Sequence, residues 1–443
     1  MMANHVTSIL ARRFPLSRNE LVIGEVSAEL LAETYGTPLY VYDRAAIDAQ
    51  FDCLRATLPR CFTIFYSIKA NPNPAVVQHL LARGCGLEVA SLGEFHIGRS
   101  IGCAPSYTVF AGPGKTLAEL EGTIAQGVGE LHVESLLEAQ RVANIARRLG
   151  VRQKVAIRVN PAAEAEGGAM RMGGRPAPFG IDEEMLDQAL TAVCSESALE
   201  FTGIHLFAGT QILDADILIQ QYRHGLAIAR RAAECTGCSL QTVDFGGGLG
   251  VPYFAHEQQL DVNHLRQGLG ELFANIVDEP AFANTRFLVE PGRFLTAEAG
   301  VYLARVIDVK TSRGKKFVVL DGGMNHHLAA SGNLGQTIKR NYPIALVNKL
   351  DAAPAGPVDF VGPLCTPLDT LARNLEVASP EVGDLVGIFQ SGAYGRSASP
   401  LGFLSHPAPP EIWVDGTTHV LVTARGDTAG EVKNSAATLV VSE

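Results

Sequence analysis

The stretch FTIFYSIKANPNP, residues 62–74, poses the problem that the rest of the chain answers. Thr63-Ile64-Phe65-Tyr66 are β-branched and aromatic, the residues of a half-buried or buried strand. The run ends in a lysine, Lys69, and an Asn-Pro turn follows at once. Burying an ammonium is costly unless it is paired or chemically used. Taken alone, Lys69 reads as a surface residue at a strand end. The ends of the other strands decide whether it is more than that.

Working outward, comparable runs recur: GLEVA (86–90), YTVFAG (107–112), ELHVES (130–135), KVAIRVN (154–160), FTGIHLFA (201–208), TVDFGGG (242–248) and RFLVEPG (286–292). Between them lie segments such as NPAVVQHLLARG, SLGEFHIGRSIG, TLAELEGTIAQG and LLEAQRVANIARRLG. Their apolar residues repeat every three or four positions, and several close on glycine, as helices do. Strands alternating with helices predict a parallel sheet. Eight such strands over 40–300 predict a closed (β/α)8 TIM barrel, with a doubly wound open sheet as the alternative. After residue 300, VYLARVIDVKTS, KKFVVLDGG, GDLVGIF, THVLVTARG and ATLVVSE predict an all-β domain. The expected organisation is an N-terminal strand from 1–40 joining the β domain, a barrel over 41–300, and a C-terminal β-barrel or sandwich domain over 301–443.

Composition narrows the function classes. Hydrophobic residues make up 47% and charged residues 19%, an ordinary globular balance with a large core. The net charge is −10 with no long basic run, which argues against nucleic acid but leaves room for a local basic pocket for a phosphate. The N-terminus lacks a signal-peptide core, and no apolar stretch reaches the about 18 residues of a membrane span. A cytoplasmic protein with reduced thiols is expected. Of the eight cysteines only Cys235 and Cys238 have CxxC spacing, and without a second pair they predict no metal site.

Polar residues and glycines gather where the βα loops of a barrel build an active site. Lys69 ends the first strand, Glu88 lies in the second and Arg158 in the fifth. His205 and Thr210 lie at the end of the sixth, Gly246-Gly247-Gly248 ends the seventh, and Glu290-Pro291-Gly292-Arg293 ends the eighth. Bare backbone N–H groups in DFGGGLG suit an anion, as in a phosphate cradle, and Gly292 and Arg293 add another amide and a guanidinium. The run lacks dinucleotide-fingerprint spacing, and Pro252 interrupts any helix that would follow. Phosphate, lysine and buried carboxylate together suggest pyridoxal 5′-phosphate, held by the lysine amine, with Glu290 on the ring nitrogen. An ion pair between Glu290 and Arg293 is the plainer alternative.

These motifs together resemble the fold type III pyridoxal-phosphate decarboxylases, the group containing diaminopimelate and ornithine decarboxylases, over residues 35–440. FYSIKAN resembles the motif of the cofactor lysine, which implies Lys69 for that role. LEVASLGE resembles the second-strand motif with Glu88, and GGG and EPGR resemble the phosphate-loop and ring-nitrogen motifs. GPLCTPLD, 362–369, resembles the block that supplies a catalytic cysteine across a homodimer interface. The resemblance implies Cys365 as proton donor, with Thr366 and Asp369 beside the substrate, and Tyr394 of SGAYG on the cofactor phosphate. Without that context Cys365 reads as a small buried hydrophobe and Tyr394 as a partly buried aromatic.

Three departures bear on the substrate. In HLFAGTQ, 205–211, Phe207 stands where the family usually stacks a histidine on the cofactor ring, while Thr210 keeps a hydroxyl for the phosphate. Thr366 stands where the amino-acid decarboxylases usually carry an acid for the far ammonium. After DGGMN the text HHLAASGNLGQTIKRNYP lacks the expected arginine until Arg340. Adjacent His326 and His327, taken as a β segment, would point to opposite faces, so a polar wall or structural role is expected rather than a metal pair. With MRMGGRPAPFGID, 170–182, these features resemble a branch found in secondary-metabolite and exopolysaccharide gene sets. One member type of that branch decarboxylates a glutamyl group on an acyl-carrier protein. The expected reaction is therefore decarboxylation of an L-amino acid or a carrier-bound amino acyl group, with diaminopimelate decarboxylase as the alternative. A racemase would favour arginine at the ring nitrogen, and a non-catalytic cofactor-binding protein would tend to lose the cysteine block or the second domain. Glu290 and Cys365 argue against each.

Overall fold

A computed structural model describes residues 2–162, 170–171, 176–207 and 209–426. The expected strand ATLVVSE and the centre of MRMGGRPAPFGID lie outside the described residues. The chain divides into two compact units, Gln50–Pro252 with Gln258–Phe294, and Met1–Ala49 with Tyr253–Glu257 and Leu295–Glu443. The divisions fall at 49/50 and 294/295, beside the expected 40/41 and 300/301. No described helix is long and apolar enough to cross a membrane.

The first unit is the barrel. Its strands are β1 (Phe62–Ser67), β2 (Gly86–Val89), β3 (Thr108–Phe110), β4 (Glu130–Val133), β5 (Gln153–Asn160), β6 (Leu199–Leu206), β7 (Thr242–Asp244) and β8 (Arg286–Val289). All are parallel and pair in chain order. β8 then pairs with β1 through Phe287↔Phe62, Leu288↔Thr63 and Val289↔Ile64, so the sheet closes and the open-sheet alternative falls. Each of the eight expected runs supplies one strand; six are shortened, and β5 and β6 begin earlier than expected, at Gln153 and Leu199.

Local chemistry sets the helix starts. The pattern S/T-x-x-E recurs as Ser91–Glu94, Thr116–Glu119 and Ser135–Glu138, and in each the hydroxyl accepts the backbone N–H of the glutamate. Such caps contribute about 1 kcal/mol each. Gly150 and Gly237 end their helices at φ 68° and 66°, where a side chain would be strained. The 22-residue helix Ala215–Thr236 carries Tyr222, which stacks on Phe245 at 4.6 Å, and Phe62 meets Phe273 edge-on at 4.7 Å. This aromatic layer packs helices onto the strands.

The second unit is a mainly antiparallel sheet assembly. The 13-residue strand Gly300–Ser312 is its spine, pairing with Leu39–Asp43, Lys315–Leu320 and Leu385–Ile388. The N-terminal segment therefore supplies a strand to the β unit. It also supplies a helix, Met2–Arg13, for which the sequence reading made no provision. Arg12 and Arg13 of that helix hold the buried Glu298 at 2.7 and 2.6 Å. The core combines Leu39, Val41, Val301, Leu303, Phe389 and Val414. The segment carrying His326 and His327 is a turn rather than the β segment expected: both His326 N and His327 N donate to Gly323 O, so the chain reverses through Met324-Asn325.

Candidate active site

Strand β1 ends in a tight turn, Ile68–Ala70, which fixes Lys69. Tyr66 Oη donates to Asn71 O at 2.9 Å, and the Asn71 and Asn73 side chains accept the amides of Asn73 and Ala75. Beyond this turn Lys69 Nζ reaches Glu88 Oε2 at 2.8 Å. Glu88 sits on the neighbouring strand in register with Ser67, whose Oγ also donates to it, at 2.5 Å. The Lys69 side chain is 42% exposed and that of Glu88 only 1%. The lysine is thus drawn to a buried carboxylate while its amine stays accessible.

The glycine run packs against the end of β8. Gly246 and Gly248 have φ of 65° and 103°. A Cβ on Gly247 would fall 2.6 Å from Glu290 O, a backbone atom that cannot yield. Glu290 N donates to Gly246 O at 2.7 Å, and Gly246 N donates to Asp244 Oδ1 at 2.8 Å. Gly292 lies against the lysine turn, where its Cβ would meet Ala70 Cβ at 2.8 Å and Ser67 O at 3.1 Å. Arg293 begins the next short helix. Only glycine permits these approaches. The Phe207 ring lies on Gly246, and Gly209-Thr210 pairs with Met170-Arg171, so two of the departing motifs meet.

Arg158 is buried. Its guanidinium lies 5.2 Å from the Phe179 ring and 6.0 Å from the Phe207 ring, and Nη1 donates to Glu134 Oε1 at 2.7 Å. Glu134 also accepts Gly112 N at 2.7 Å and Gly180 N at 3.0 Å. Burial pushes the Glu134 carboxyl up, but Arg158, Lys115 and Gly180 N reverse this and hold it below the ordinary carboxylate range.

Inside the barrel His205 Nε2 lies 3.4 Å from Glu290 Oε2, and His132 Nδ1 lies 3.9 Å from Oε1. Burial drives His205 down to about 4, so at neutral pH it is uncharged. Burial also opposes the charge of Glu290, yet His205, His132 and Lys69 facing it hold it well below the usual carboxylate range. Asp244, fully buried beside Glu290, is driven well above that range by burial and by Glu290 itself. The two acids are thus driven in opposite directions, Asp244 up and Glu290 down, and titrate as a pair. Ligand-type atoms of His132, His205, Asp244 and Glu290 lie within 4.8 Å of one another. His132 Nε2 is engaged by Glu130 Oε1 at 3.1 Å and Asp244 Oδ1 by Gly246 N, while His132 Nδ1, both His205 nitrogens, Asp244 Oδ2 and Glu290 Oε1 have no hydrogen-bond partner among the described residues.

The sequence reading passed over His132, Glu134 and Asp244. The signal of the first two was present in ELHVE: Glu130 and His132 alternate with apolar residues in a strand whose every residue is buried, and Glu134 continues the period just past its end. Glu130 Oε2 accepts from Thr242 Oγ1 of the non-adjacent strand β7, so the polar row faces the barrel interior. A polar row of period two inside a buried strand is a site signature that β-propensity alone hides.

In the β unit, Cys365 is exposed and Thr366 half-buried. Thr366 Oγ1 accepts Leu368 N at 3.3 Å, a turn within its own loop. Asp369, expected beside the substrate, is buried, and its two oxygens accept Met324 N at 2.7 Å and Leu364 N at 2.9 Å. The carboxylate clamps the DGGM turn to the cysteine loop. Tyr394 has φ 53°, a left-handed conformation rare for a bulky residue and typical of functional loops. His327 Nε2 lies 2.9 Å from Ser391 Oγ, and Nδ1 accepts Ala330 N at 3.3 Å. His326 packs with Tyr40, Tyr302 and Asn325. Both are structural.

An accessible amine, a glycine cradle and a buried anion suit a phosphorylated aromatic aldehyde with a basic ring nitrogen. Comparison with known proteins agrees. The family model for the pyridoxal-binding domain of pyridoxal-dependent decarboxylases matches residues 44–297. The chain is 36% identical over 399 residues to the L-glutamyl-[BtrI acyl-carrier protein] decarboxylase of Niallia circulans, covering 89% of this chain and 93% of that protein. It is 30% identical over 410 residues to the diaminopimelate decarboxylase of Aquifex aeolicus, covering 92% and 93%. The crystal structure of diaminopimelate decarboxylase from M. jannaschii with L-lysine superposes with a TM-score of 0.86 at 26% identity, covering 95% of this chain and 96% of that one. With the family model spanning more than half of its length, the chain belongs to the pyridoxal-dependent decarboxylases of fold type III, which are carboxy-lyases.

Proposed function

We propose that the chain binds pyridoxal 5′-phosphate through Lys69 and decarboxylates an L-amino acid carried as an amino acyl group, such as glutamyl, on an acyl-carrier protein. Thr366 carries this reading: a hydroxyl already turned back onto Leu368 N leaves no anion there for a distal ammonium. The match to a carrier-bound glutamyl decarboxylase supports it. A tethered substrate presents no free distal charge.

When bound, the cofactor supplies the electron sink for the bond to the departing carboxylate. Lys69 Nζ is the attachment point and a proton carrier, and Glu88, 2.8 Å away, steadies its charged form. Gly247, Gly248 and Gly292 offer amides to the phosphate, with Thr210, Arg293 and Tyr394 as further donors. Phe207 gives the ring an apolar face, and Arg158 braces Phe207. Glu290, kept anionic inside the barrel, holds a proton on the ring nitrogen. Cys365 Sγ–H of the partner subunit returns a proton to carbon, a role its exposed position in the single chain permits. Homodimers with shared sites, in the cytoplasm, complete the proposal.

The test has two parts. Borohydride reduction and peptide mapping should place a pyridoxyl adduct on Lys69, absent in Lys69→Ala. Carbon dioxide release should then be compared for free diaminopimelate, lysine, ornithine and glutamate and for the same amino acids on a carrier protein. Free diaminopimelate turned over at ordinary enzymic rates would favour the second reading, diaminopimelate decarboxylase, to which the solved relatives point.

A further inference from the structure

Beyond the residues already assigned, the β unit holds a cavity of about 320 Å³. Three segments line it: Phe254–His256, Ala330–Asn341 in part, and Thr370–Arg373. Its charged lining is entirely basic: Lys339, Arg340 and Arg373, with His256 beside them and no acid. This is unusual in a chain of net charge −10.

The cations have no carboxylate partner among the described residues. Lys339 Nζ donates to the neutral Asn333 Oδ1 at 2.6 Å. Arg340 donates to His256 Nε2 and lies 5.7 Å from the Phe254 ring. The Arg373 backbone is pinned to Asn341, which accepts its N–H at 2.9 Å and donates to its C=O at 2.8 Å. Of the acids next to the lining in sequence, Glu257 turns to cap Tyr253 N at 2.8 Å and Phe254 N at 3.1 Å, and Asp369 accepts Met324 N and Leu364 N. Three like charges held around one concavity repel each other unless an anion joins them. Two guanidiniums and an ammonium match the charged, tetrahedrally disposed oxygens of a phosphate group better than a planar carboxylate.

We infer that this cavity is a subsite for a phosphate ester of the substrate's carrier, the phosphodiester at the root of a phosphopantetheine-type arm. The inference rests on the tethered-substrate reading and names the part of the carrier that is gripped. The cavity wall at Phe254–His256 follows the Gly246–Gly250 loop in the chain by only four residues. Free amino acids lack the group, so their turnover is independent of this cavity.

The experiment uses the cofactor-loaded protein and three substrates: the amino acyl carrier protein, the same amino acid as a thioester of phosphopantetheine, and its thioester of unphosphorylated pantetheine. Wild type should prefer the phosphorylated small thioester. Arg340→Ala and Arg373→Ala should each raise KM for the carrier and phosphorylated substrates about 10–100-fold, the scale of one charge-assisted contact. Cofactor absorbance, kcat and KM for the pantetheine thioester should stay unchanged, and Arg373→Lys should restore part of the loss. Calorimetric titration of phosphopantetheine into wild type and Arg373→Ala gives the same comparison without turnover. Unchanged KM in both alanine variants with carrier turnover intact overturns the subsite alone. If the variants weaken the carrier substrate while both small thioesters behave alike, the anion lies on the carrier's acidic surface and the phosphate assignment falls. Absence of any thioester or carrier turnover overturns the tethered reading and the subsite with it.

Discussion

Replacing Arg158 by Met tests the electrostatics of the barrel interior, because the consequence falls on Glu134. The two side chains are 7% and 3% exposed and meet at 2.7 Å. At an effective dielectric constant of about 20, unit charges about 4 Å apart attract by about 4 kcal/mol. Removing one partner of a buried pair typically costs about 3–5 kcal/mol. Glu134 is not left bare, since Gly112 N and Gly180 N still donate to it. The lower end, about 3 kcal/mol, is therefore expected, which for a unit of this size lowers Tm by about 6–12 °C. The sign with pH follows from the depressed Glu134 carboxyl. Its stabilisation is complete above the ordinary value of 4.5 and is lost as pH falls through the lower folded value. Arg158→Met raises that folded value, so the contribution of this group to acid stability shrinks. The assay is denaturant and thermal unfolding of the cofactor-free protein between pH 3 and about 7 for wild type, Arg158→Met, Glu134→Gln and the double variant. The double variant should be more stable than the sum of the single losses predicts, with a coupling of about 1–3 kcal/mol. Additive losses, or an Arg158→Met acid limb indistinguishable from wild type, would refute the reasoning.

Gly292→Ala should cost about 1–3 kcal/mol by overpacking, because its Cβ would sit 2.8 Å from Ala70 Cβ beneath the lysine turn. Weaker cofactor binding in equilibrium dialysis should accompany it, and wild-type affinity would separate the turn from the cofactor site. His205 and His327, lowered by burial to about 4 and about 3, should show no ring-proton titration by NMR between pH 5 and 8. Because their folded values lie below the ordinary 6.5, they add to the loss of stability as pH drops from 6.5 toward those values. A midpoint near 6.5 for either would show that its site is wet.

Much of the site was legible because its residues sit at strand ends whose positions local chemistry fixes. The β-branched and aromatic run before Lys69, the triple glycine after Asp244 and the Glu-Pro-Gly-Arg ending at 293 each announce a turn at the close of a strand. Roles that depend on a distant partner were not legible. Asp369 looks like any loop acid in sequence, yet its two backbone amide partners lie 45 and 5 residues away, and only their convergence makes it a clamp. The His326-His327 pair was misplaced on a strand because alternation was assumed where the chain turns at Met324-Asn325 and closes back on Gly323 O.

The sequence by itself determined the alternation of strand and helix, the helix starts at Ser91, Thr116 and Ser135, and the lysine and glycines at strand ends, since these follow from propensity, capping and backbone freedom within a few residues. The tertiary structure alone decided which charges meet. The register of neighbouring strands brings Glu134, just past β4, to Arg158 on β5 and sets Asp244, at the end of β7, against Glu290, just past β8, so burial and mutual repulsion push the one carboxyl up while the facing bases hold the other down. The tertiary structure also gathered Lys339, Arg340 and Arg373 around one cavity with no acid among its described lining residues. The energy of a charge depends on how much water it loses and what faces it at a few ångströms, and both are set by strand order and register rather than by neighbours in the chain.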